Sequence, residues 1–512
     1  MNLALSIEQS INTKSEQKRL AKPSPPGPLG ARSAQGVLAM AGQVIVTRFL
    51  VLATQVVLAF KLSESDFGNA GLALAISSTL GIAASINIES VLIRKSTHIK
   101  SLSQTAFWLN TFFYALATCL ILGSALWVKL FHGNDLLALL ILTCAIALPF
   151  RSFAAIPNAF VTSELKFKLI AAIGLCNIAA TSILSMMFAY LGFGPYSLIV
   201  PAIIATAISS LILFANVKFR PTFCFKKNVA KYLLRDIGIF WAVQGVWTAA
   251  GQIDYLIAGR MVNANLLGEY FFAYNLSLQA VRIATGNLYF IMFPVFSSMK
   301  DDAARQANAA FKVCRVMPIV LIPFCLAQGL LAPEIILHVY RGKWSVAGQL
   351  IAILSFGLAV YPISFIGEAL LHAQGRFKDY FKVMTASLTA FALSITLATW
   401  WGGIQGTAIA ASVHYLVFTP LINVVAFRKH RTAYEVIIGI YSGPVTVGLL
   451  CLGAGLLLHA TLSSWAKFSD FTLTIGIGLF TPLLFLAFAS ILFPDRLQSV
   501  WATLQRHTSS AC

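Results

Sequence analysis

Fourteen apolar runs, most of them long enough to cross a membrane as one helix, constrain this chain more than any other feature. A spanning helix needs about 20 mostly apolar residues, and its backbone must satisfy its own hydrogen bonds in lipid. Charged residues make up 11% of the chain and hydrophobic residues 58%, whereas a soluble protein has about 25% charged residues. The predicted spans are 34–60, 67–93, 103–128, 135–162, 169–191, 195–216, 237–261, 267–298, 313–336, 347–372, 383–400, 404–427, 433–458 and 470–493. We therefore predict an all-α polytopic membrane protein.

The net charge of +19 is explained by the membrane topology. If the N-terminus is placed inside, the inner segments hold 28 basic residues, the outer segments 5, and the spans themselves 4. Because cytoplasmic loops collect Lys and Arg, this bias predicts that both termini are cytoplasmic. A nucleic-acid partner, which such a charge would suggest in a soluble protein, is not expected.

The chain divides at a basic inner loop, 217–236, near its middle. The first 33 residues are polar and contain the Pro-rich segment 23–28, so we expect a disordered cytoplasmic tail without a signal peptide. The predicted organisation is a tail at 1–33, an N-lobe of six spans at 34–217, a linker at 218–236, a C-lobe of six spans at 237–431, two further spans at 432–493 and a tail at 494–512.

Three short elements recur at equivalent points of the two lobes, at an offset of about 200–210 residues. Chance matching is the alternative, but three matches at equivalent topological points favour duplication. Two six-helix repeats enter from the same side, and transporters built this way bind substrate between the repeats. The matched elements are Phe67-Gly68 with Leu267-Gly268, Lys166-Phe167-Lys168 with Arg376-Phe377-Lys378, and Gly192 with Gly402.

Four arginines and one aspartate lie inside predicted spans. Arg48, Arg151 and Arg282 are near the middle of their spans, whereas Arg260 is near an outer end, where its side chain can reach the interface. An arginine at mid-membrane costs about 2.5–3.5 kcal/mol on insertion scales, so these side chains should face a water-filled cavity or a partner. Asp254 is a candidate partner for Arg48 or Arg282.

Two glutamates lie near the inner ends of their spans. Glu89 is expected to meet Arg94 or Lys95 at the membrane interface, and Glu368 is expected to meet Arg376. The same two carboxyl groups are also candidates for coupling transport to an ion.

Arg48 and Arg282 are the strongest candidates for binding substrate, and Arg151, Asp254 and Arg260 are further candidates for the same cavity. The spans of Arg48 and Arg282 open the two lobes, and excess positive charge at mid-depth requires an anion. A guanidinium group binds phosphate through paired hydrogen bonds. The alternative is that these arginines form buried ion pairs that fix helix register. We favour a cavity that binds an anionic substrate.

The sequence lacks the motifs of several enzyme classes. It contains no GxxxxGK[ST] phosphate loop and no HExxH zinc motif, and its outer loops are short. We therefore predict a protein that is not an enzyme and that needs no metal or cofactor.

Several segments together resemble the polysaccharide-transport branch of the MOP flippase superfamily. Residues 62–68 lead into a span that ends with 91–95, similar to the "FG" and "ALIQR" elements of those exporters. Residues 253–260 and 267–274 resemble their "DxxxxGR…LGxY…AY" stretch, and 293–297 resembles "FPAFS". This family includes Wzx-type flippases and is more distantly related to MATE exporters.

The resemblance implies two six-helix lobes in a V, with a central cavity lined by spans 1, 2, 7 and 8. It implies alternating access that carries an undecaprenyl-diphosphate-linked repeat unit across the bacterial inner membrane, for exopolysaccharide, capsule or O-antigen synthesis. The expected partners are this lipid-linked oligosaccharide, membrane lipids and the polysaccharide polymerase or export machinery. The last two spans are candidates for contacting the lipid tail.

Two other functions stay open at this point. A MATE-like exporter of cations or drugs would favour acidic residues in the cavity, whereas this chain has four arginines within its spans and Asp254 as their one mid-span acid. A membrane polysaccharide polymerase or ligase would need catalytic groups on a long external loop, and the outer loops here are short.

Overall fold

The computed structural model describes residues 46–95, 98–164, 166–217, 219–285, 288–299, 301–465 and 470–496. All regular structure in these ranges is helical. The start of the first predicted span, the N-terminal tail and most of the C-terminal tail lie outside the described residues.

Nineteen helices, followed by a short helical segment at 494–496, form the described structure. Three short turns join some of them: a 3-10 turn at Gly81–Ala84, another at Tyr361–Ile363 and a π-helical turn at Ile437–Ser442. The helices are α1 (46–61), α2 (Glu64–Leu80), α3 (Ile88–Arg94), α4 (Ile99–His132), α5 (Asp135–Ala145), α6 (Ala147–Ser163), α7 (Phe167–Tyr190), α8 (Tyr196–Asn216), α9 (Lys227–Ala250), α10 (Ile253–Met261), α11 (Ala264–Thr285), α12 (Leu288–Ser298), α13 (Ala303–Val339), α14 (Ala347–Leu358), α15 (Ser364–Ala373), α16 (Phe377–Phe427), α17 (Ala433–Val436), α18 (Gly443–Trp465) and α19 (Asp470–Leu492).

Ten helical stretches of the described chain are long and apolar enough to cross a membrane. One of them, α16, contains two helices, because the backbone breaks at Gly402 and Gly403. The predicted spans that are not among the ten correspond to α1, α9–α10 and α11–α12. The described part of α1 covers 16 residues, 46–61, which is shorter than a spanning helix, whereas polar residues such as Gln244, Gln279 and Arg282 interrupt the other two. The count of fourteen spans therefore stays a prediction.

The predicted repeat corresponds to equivalent positions in the structure. Lys166 and Arg376 each precede a helix that begins with Phe, α7 and α16 respectively. Gly192 has φ of 80°, which glycine adopts at low cost. Its counterpart by conformation is Gly403, with φ of 55°, rather than the predicted Gly402, whose φ is −121°.

The predicted twenty-residue linker is shorter than expected. α9 begins at Lys227, so the second half of the linker is already helical. The preceding residues bind to α4: Gln104 accepts a hydrogen bond from Thr222 N, and Trp108 Nε1 donates to the Thr222 carbonyl. Leu233 of α9 belongs to an apolar cluster with residues of α3 and α4. The linker region thus packs against the N-lobe.

The two lobes meet at one end of the bundle, which carries residues 62–63, 192–195, 262–263 and 340–346 and is called the closed end. Here α2 and α11 cross backbone to backbone at Gly68 and Gly268. A Cβ on Gly68 would lie 1.9 Å from the Ala264 carbonyl oxygen, and one on Gly268 would lie 1.7 Å from that of Glu64. Only glycine permits this approach.

A loop of the C-lobe reinforces the closed end. Trp344 is 1% exposed, and its Nε1 donates to the Ala59 carbonyl at 3.0 Å. Lys343 Nζ donates to the carbonyls of Ala59 and Leu62, where a positive charge suits the C-terminus of α1. Trp344 also packs edge-on against Phe67, with ring centroids 5.0 Å apart. These contacts join the lobes.

The opposite end of the bundle carries residues 95, 98, 164, 166, 299, 301–302 and 374–376 and is called the basic end. α3 packs against α4 and α6 of the N-lobe and against α9, whereas α12 packs against α13 and α15 of the C-lobe. α9 also contacts α16 of the C-lobe, so it bridges the two lobes, which α2, α11 and the loop at 340–346 join at the closed end.

Candidate functional site

Arg48 and Arg282 come together between the lobes, as the sequence predicts for a shared cavity. Arg48 lies on α1 and Arg282 on α11, near enough that the charge of each acts on the other. Arg48 Nη1 donates a hydrogen bond to Gln279 Oε1 at 3.3 Å. Gln279 lies one turn before Arg282 on α11. Arg282 is exposed. Two like charges therefore share one region, where α1 contacts α11.

Neither guanidinium has a carboxylate partner among the described residues. Gln279 is the one side chain there that hydrogen-bonds Arg48, and the buried Arg48 Nε has no partner. Arg282 forms no hydrogen bond or ion pair within the described structure. Two adjacent cations without a counter-ion are costly in a membrane unless an anion binds between them.

The predicted pairing of Asp254 with Arg48 or Arg282 is wrong. Asp254 is buried, and its Oδ2 accepts a hydrogen bond from the Tyr270 hydroxyl at 2.7 Å, while Oδ1 accepts one from Tyr255 N at 2.9 Å. Tyr270 follows Asp254 by sixteen residues on the next helix of the same lobe, which satisfies the carboxyl group locally. Asp254 thus belongs to a tyrosine-rich cluster inside the C-lobe.

The predicted interface partners of the two glutamates are also wrong. Glu89 Oε1 accepts a hydrogen bond from Asn158 Nδ2 at 2.7 Å. Glu368 hydrogen-bonds to Tyr380. Arg376 instead bonds to Asp379 Oδ2 at 2.8 Å and to backbone carbonyls at the end of α16. The helix end and Asp379 occupy the guanidinium that Glu368 was expected to meet.

The two remaining arginines lie apart from the central pair. Arg151 is exposed on α6, and its charge acts on Tyr114, as does that of Glu89, so it belongs to the N-lobe. Arg260 lies at the closed end, where its Nη1 is 3.4 Å from His132 Nε2. The exposed position of Arg260 fits a side chain that reaches the interface.

A polar cavity of about 300 Å³ opens where the predicted second span breaks, between the turn at Gly81–Ala84 and α3. Asn87, at the break, has φ of 52° in the left-handed region, which Asn tolerates better than most residues. We call this site the N-lobe cavity. Its lining residues are Ala84, Ser85, Asn87, Ile88, Glu89, Asn110, Tyr114, Ala155 and Gln244.

A second cavity, of about 480 Å³, lies against the last two helices and is almost entirely apolar. Leu326, Leu330, Phe356, Leu452 and Ile477 are among its lining residues, from α13, α14, α18 and α19. We call it the lateral cavity. Its lining residues lie outside α1 and α11, which carry the arginine pair. Its lining includes the polar residues Ser355, His459 and Thr474 but neither lysine nor arginine, and its largely apolar wall is suited to a hydrocarbon chain.

The sequence identified the arginines but missed Gln279 beside Arg48 and the amide side chains of the N-lobe cavity. Gln279, Asn110 and Gln244 are amides within spans, a signal that was available because amides in lipid also need partners. The tyrosines that bind Asp254 and Glu368 gave no such signal, since aromatic residues are common in membrane helices.

The fold defines an all-helical, multi-pass membrane protein. The family model described as "Polysaccharide biosynthesis protein" matches residues 57–349, which is more than half of the chain. The chain belongs to this family.

Two curated relatives carry names from polysaccharide synthesis. The amylovoran biosynthesis protein AmsL of Erwinia amylovora is 25% identical over 344 residues, covering 65% of this chain and 86% of that protein. The succinoglycan biosynthesis transport protein ExoT of Rhizobium meliloti (strain 1021) is 20% identical over 414 residues, covering 78% and 81%.

Two solved structures share the fold. The lipid II flippase MurJ, in an inward closed conformation, matches with a TM-score of 0.69 at 15% identity, covering 90% of this chain and 100% of that chain. An inward-facing multidrug resistance MATE family transporter of the MOP superfamily matches with a TM-score of 0.61 at 13% identity, covering 78% and 98%. The predicted MOP/MATE-like fold is confirmed.

Proposed function

We propose that this protein translocates undecaprenyl-diphosphate-linked oligosaccharide repeat units across the bacterial inner membrane, for the synthesis of exopolysaccharide, capsule or O-antigen. The observation that carries the proposal is the pair Arg48 and Arg282, one from each lobe, without a carboxylate partner in the described structure. The names of the relatives in polysaccharide synthesis and transport support the same substrate class.

The diphosphate is the part of this substrate that the arginines would hold. Each guanidinium offers donors in a planar fork that matches phosphate oxygens. Because Arg48 and Arg282 come from different lobes, a diphosphate between them would neutralise both charges at once. The free donors of Arg282 and the unpartnered Nε of Arg48 fit this role.

Alternating access would move the substrate by opening the closed end and drawing the basic end together. The excess of basic residues at the basic end supports its placement in the cytoplasm, together with both termini. In that orientation the closed end would face the periplasm, and the lipid-linked unit would enter from the cytoplasm, where it is made. The contacts at Gly68, Gly268 and Trp344 would break in the outward-open state.

The lateral cavity would hold part of the polyprenyl tail. Its apolar wall suits a hydrocarbon chain, and burying apolar surface there stabilises binding by about 25 cal/mol per Å². This gives the last two helices a role beside the two six-helix lobes. Glu89 and Glu368 are our candidates for ion coupling, because their hydrogen-bond partners in the described structure are the neutral side chains of Asn158 and Tyr380.

A chromosomal deletion in the native host tests this function. We expect loss of one surface polysaccharide and accumulation of its lipid-linked repeat unit on the cytoplasmic leaflet, with output restored by the plasmid-borne gene. The measurement is the susceptibility of the lipid-linked units to a periplasmic modifying enzyme. If the units still reach the periplasm in a strain without a related flippase, the proposal is wrong.

A further inference from the structure

We propose that the N-lobe cavity is a subsite that binds the sugar attached directly to the diphosphate. This inference rests on the proposed function. It concerns a site separate from the arginine pair and a different part of the substrate. The cavity lies at the break between α2 and α3, where the wall combines amide, hydroxyl and carboxyl groups.

The polar atoms of this wall are only partly engaged by the protein. Asn110 Nδ2 donates to the Ser152 carbonyl at 3.1 Å, and Glu89 Oε1 accepts from Asn158, so each retains a further oxygen. Gln244 makes one long hydrogen bond, 3.4 Å, to Thr248 Oγ1. The Tyr114 hydroxyl has no hydrogen bond to any described residue. Both donors and acceptors therefore remain for a ligand.

This mixture suits sugar hydroxyls better than a phosphate. A hydroxyl group both donates and accepts hydrogen bonds; amides and phenols can serve either role, and an ionised carboxylate accepts. A phosphate accepts hydrogen bonds only, and Glu89 beside it would repel it. The volume of about 300 Å³ is at the lower end of the usual range for ligand pockets, which fits one small ring rather than an oligosaccharide.

The position of the cavity matches the order of groups in a lipid-linked sugar. Counted from the closed end along continuous helices at about 1.5 Å per residue, Tyr114 on α4 lies at about the depth of Arg282 on α11, and Asn110 lies about one turn further towards the basic end. A diphosphate held by the arginines would thus present its attached saccharide towards this cavity. Gln244 on α9 contributes to the wall together with residues of α3, α4 and α6. A movement of α9 relative to these helices would therefore change the shape of the cavity.

The experiment measures binding to the full-length protein in lipid nanodiscs. The probes are undecaprenyl diphosphate and the same lipid carrying one galactose, glucose or N-acetylglucosamine. We expect wild type to bind at least one glycosylated lipid about tenfold tighter than the bare lipid. Tyr114→Phe and Gln244→Ala should each remove most of that preference and leave affinity for the bare lipid unchanged. Neither change strands a buried protein partner, so both variants should fold.

Matched variants separate the outcomes. Tyr434→Phe removes the hydroxyl of an exposed tyrosine on α17 and should change neither affinity. Arg48→Ala should weaken both lipids equally. Equal affinity of wild type for bare and all glycosylated lipids, or unchanged preference in the two cavity variants, would overturn the sugar subsite. Failure of wild type to bind either class of lipid would instead contradict the proposed function.

Discussion

Replacement of Arg282 by alanine is expected to abolish polysaccharide output almost completely, and Arg48→Ala should act alike. A charge-assisted hydrogen bond contributes about 1.5–3 kcal/mol, so losing one should weaken diphosphate binding by roughly ten- to a hundredfold. Lysine keeps the charge but loses the planar fork, and Arg282→Lys should therefore be partly active. The measurement is polysaccharide output divided by the amount of protein in the membrane.

Arg260→Ala is the matched control for these variants. It removes an exposed arginine at the closed end, away from the central pair, and should leave output close to wild type. If Arg48 and Arg282 only fix helix register, their alanine variants should be poorly inserted or degraded. Well-inserted alanine variants with full output would reject the binding role. Since Asp254 bonds to Tyr270, a second change at Asp254 is not expected to rescue either variant.

Gly268→Ala is expected to prevent the lobes from closing and to stop transport. Its Cβ would lie 1.7 Å from the Glu64 carbonyl oxygen, so α2 and α11 must move apart. Overpacking costs about 1–3 kcal/mol, which reduces the closed-end population by roughly ten- to a hundredfold. A cysteine in place of Gln279 should then react with a membrane-impermeant thiol reagent added from the periplasm, whereas without the glycine change it should be protected.

Gly81→Ala provides the comparison on the N-lobe side. A Cβ there meets nothing within 4 Å, and the backbone of Gly81 is right-handed. Polysaccharide output should therefore match wild type, and a cysteine at position 279 should stay as protected as in the protein without a glycine change. The account of the closed end would be contradicted by a Gly268→Ala variant that transports normally. It would equally be contradicted by unchanged protection of the cysteine.

Hydropathy and charge were enough to predict most of the fold. The apolar runs gave the helices, and the recurrence of Gly68 and Gly268 pointed to two related lobes. The sequence could not show that these two glycines touch, because a repeat does not reveal whether its copies meet at the symmetry axis. It also missed the helical start at Lys227, since six basic residues at 218–235 made that stretch resemble a loop.

The candidate site was predicted in part. Insertion cost alone selected Arg48 and Arg282, because an unpaired guanidinium in lipid requires an explanation. Partners were predicted less well, since opposite charges suggested ion pairs where the structure uses neutral groups. Asp254 and Glu368 bond to tyrosines, and Glu89 bonds to Asn158. A tyrosine or an asparagine satisfies a buried carboxyl group without a charge, and sequence patterns do not distinguish these solutions.

The central claim is tested most directly by translocation of lipid-linked sugars in liposomes that contain only the purified protein. A lipid-linked repeat unit from the host is placed in both leaflets, and a glycosidase added outside digests the units that it can reach. With wild-type protein we expect digestion to proceed beyond the outer half to nearly all units, whereas Arg48→Ala/Arg282→Ala should stop at about half, as in protein-free liposomes. Digestion that stops at the outer leaflet with folded wild-type protein, under an imposed ion gradient of either direction, would contradict the account.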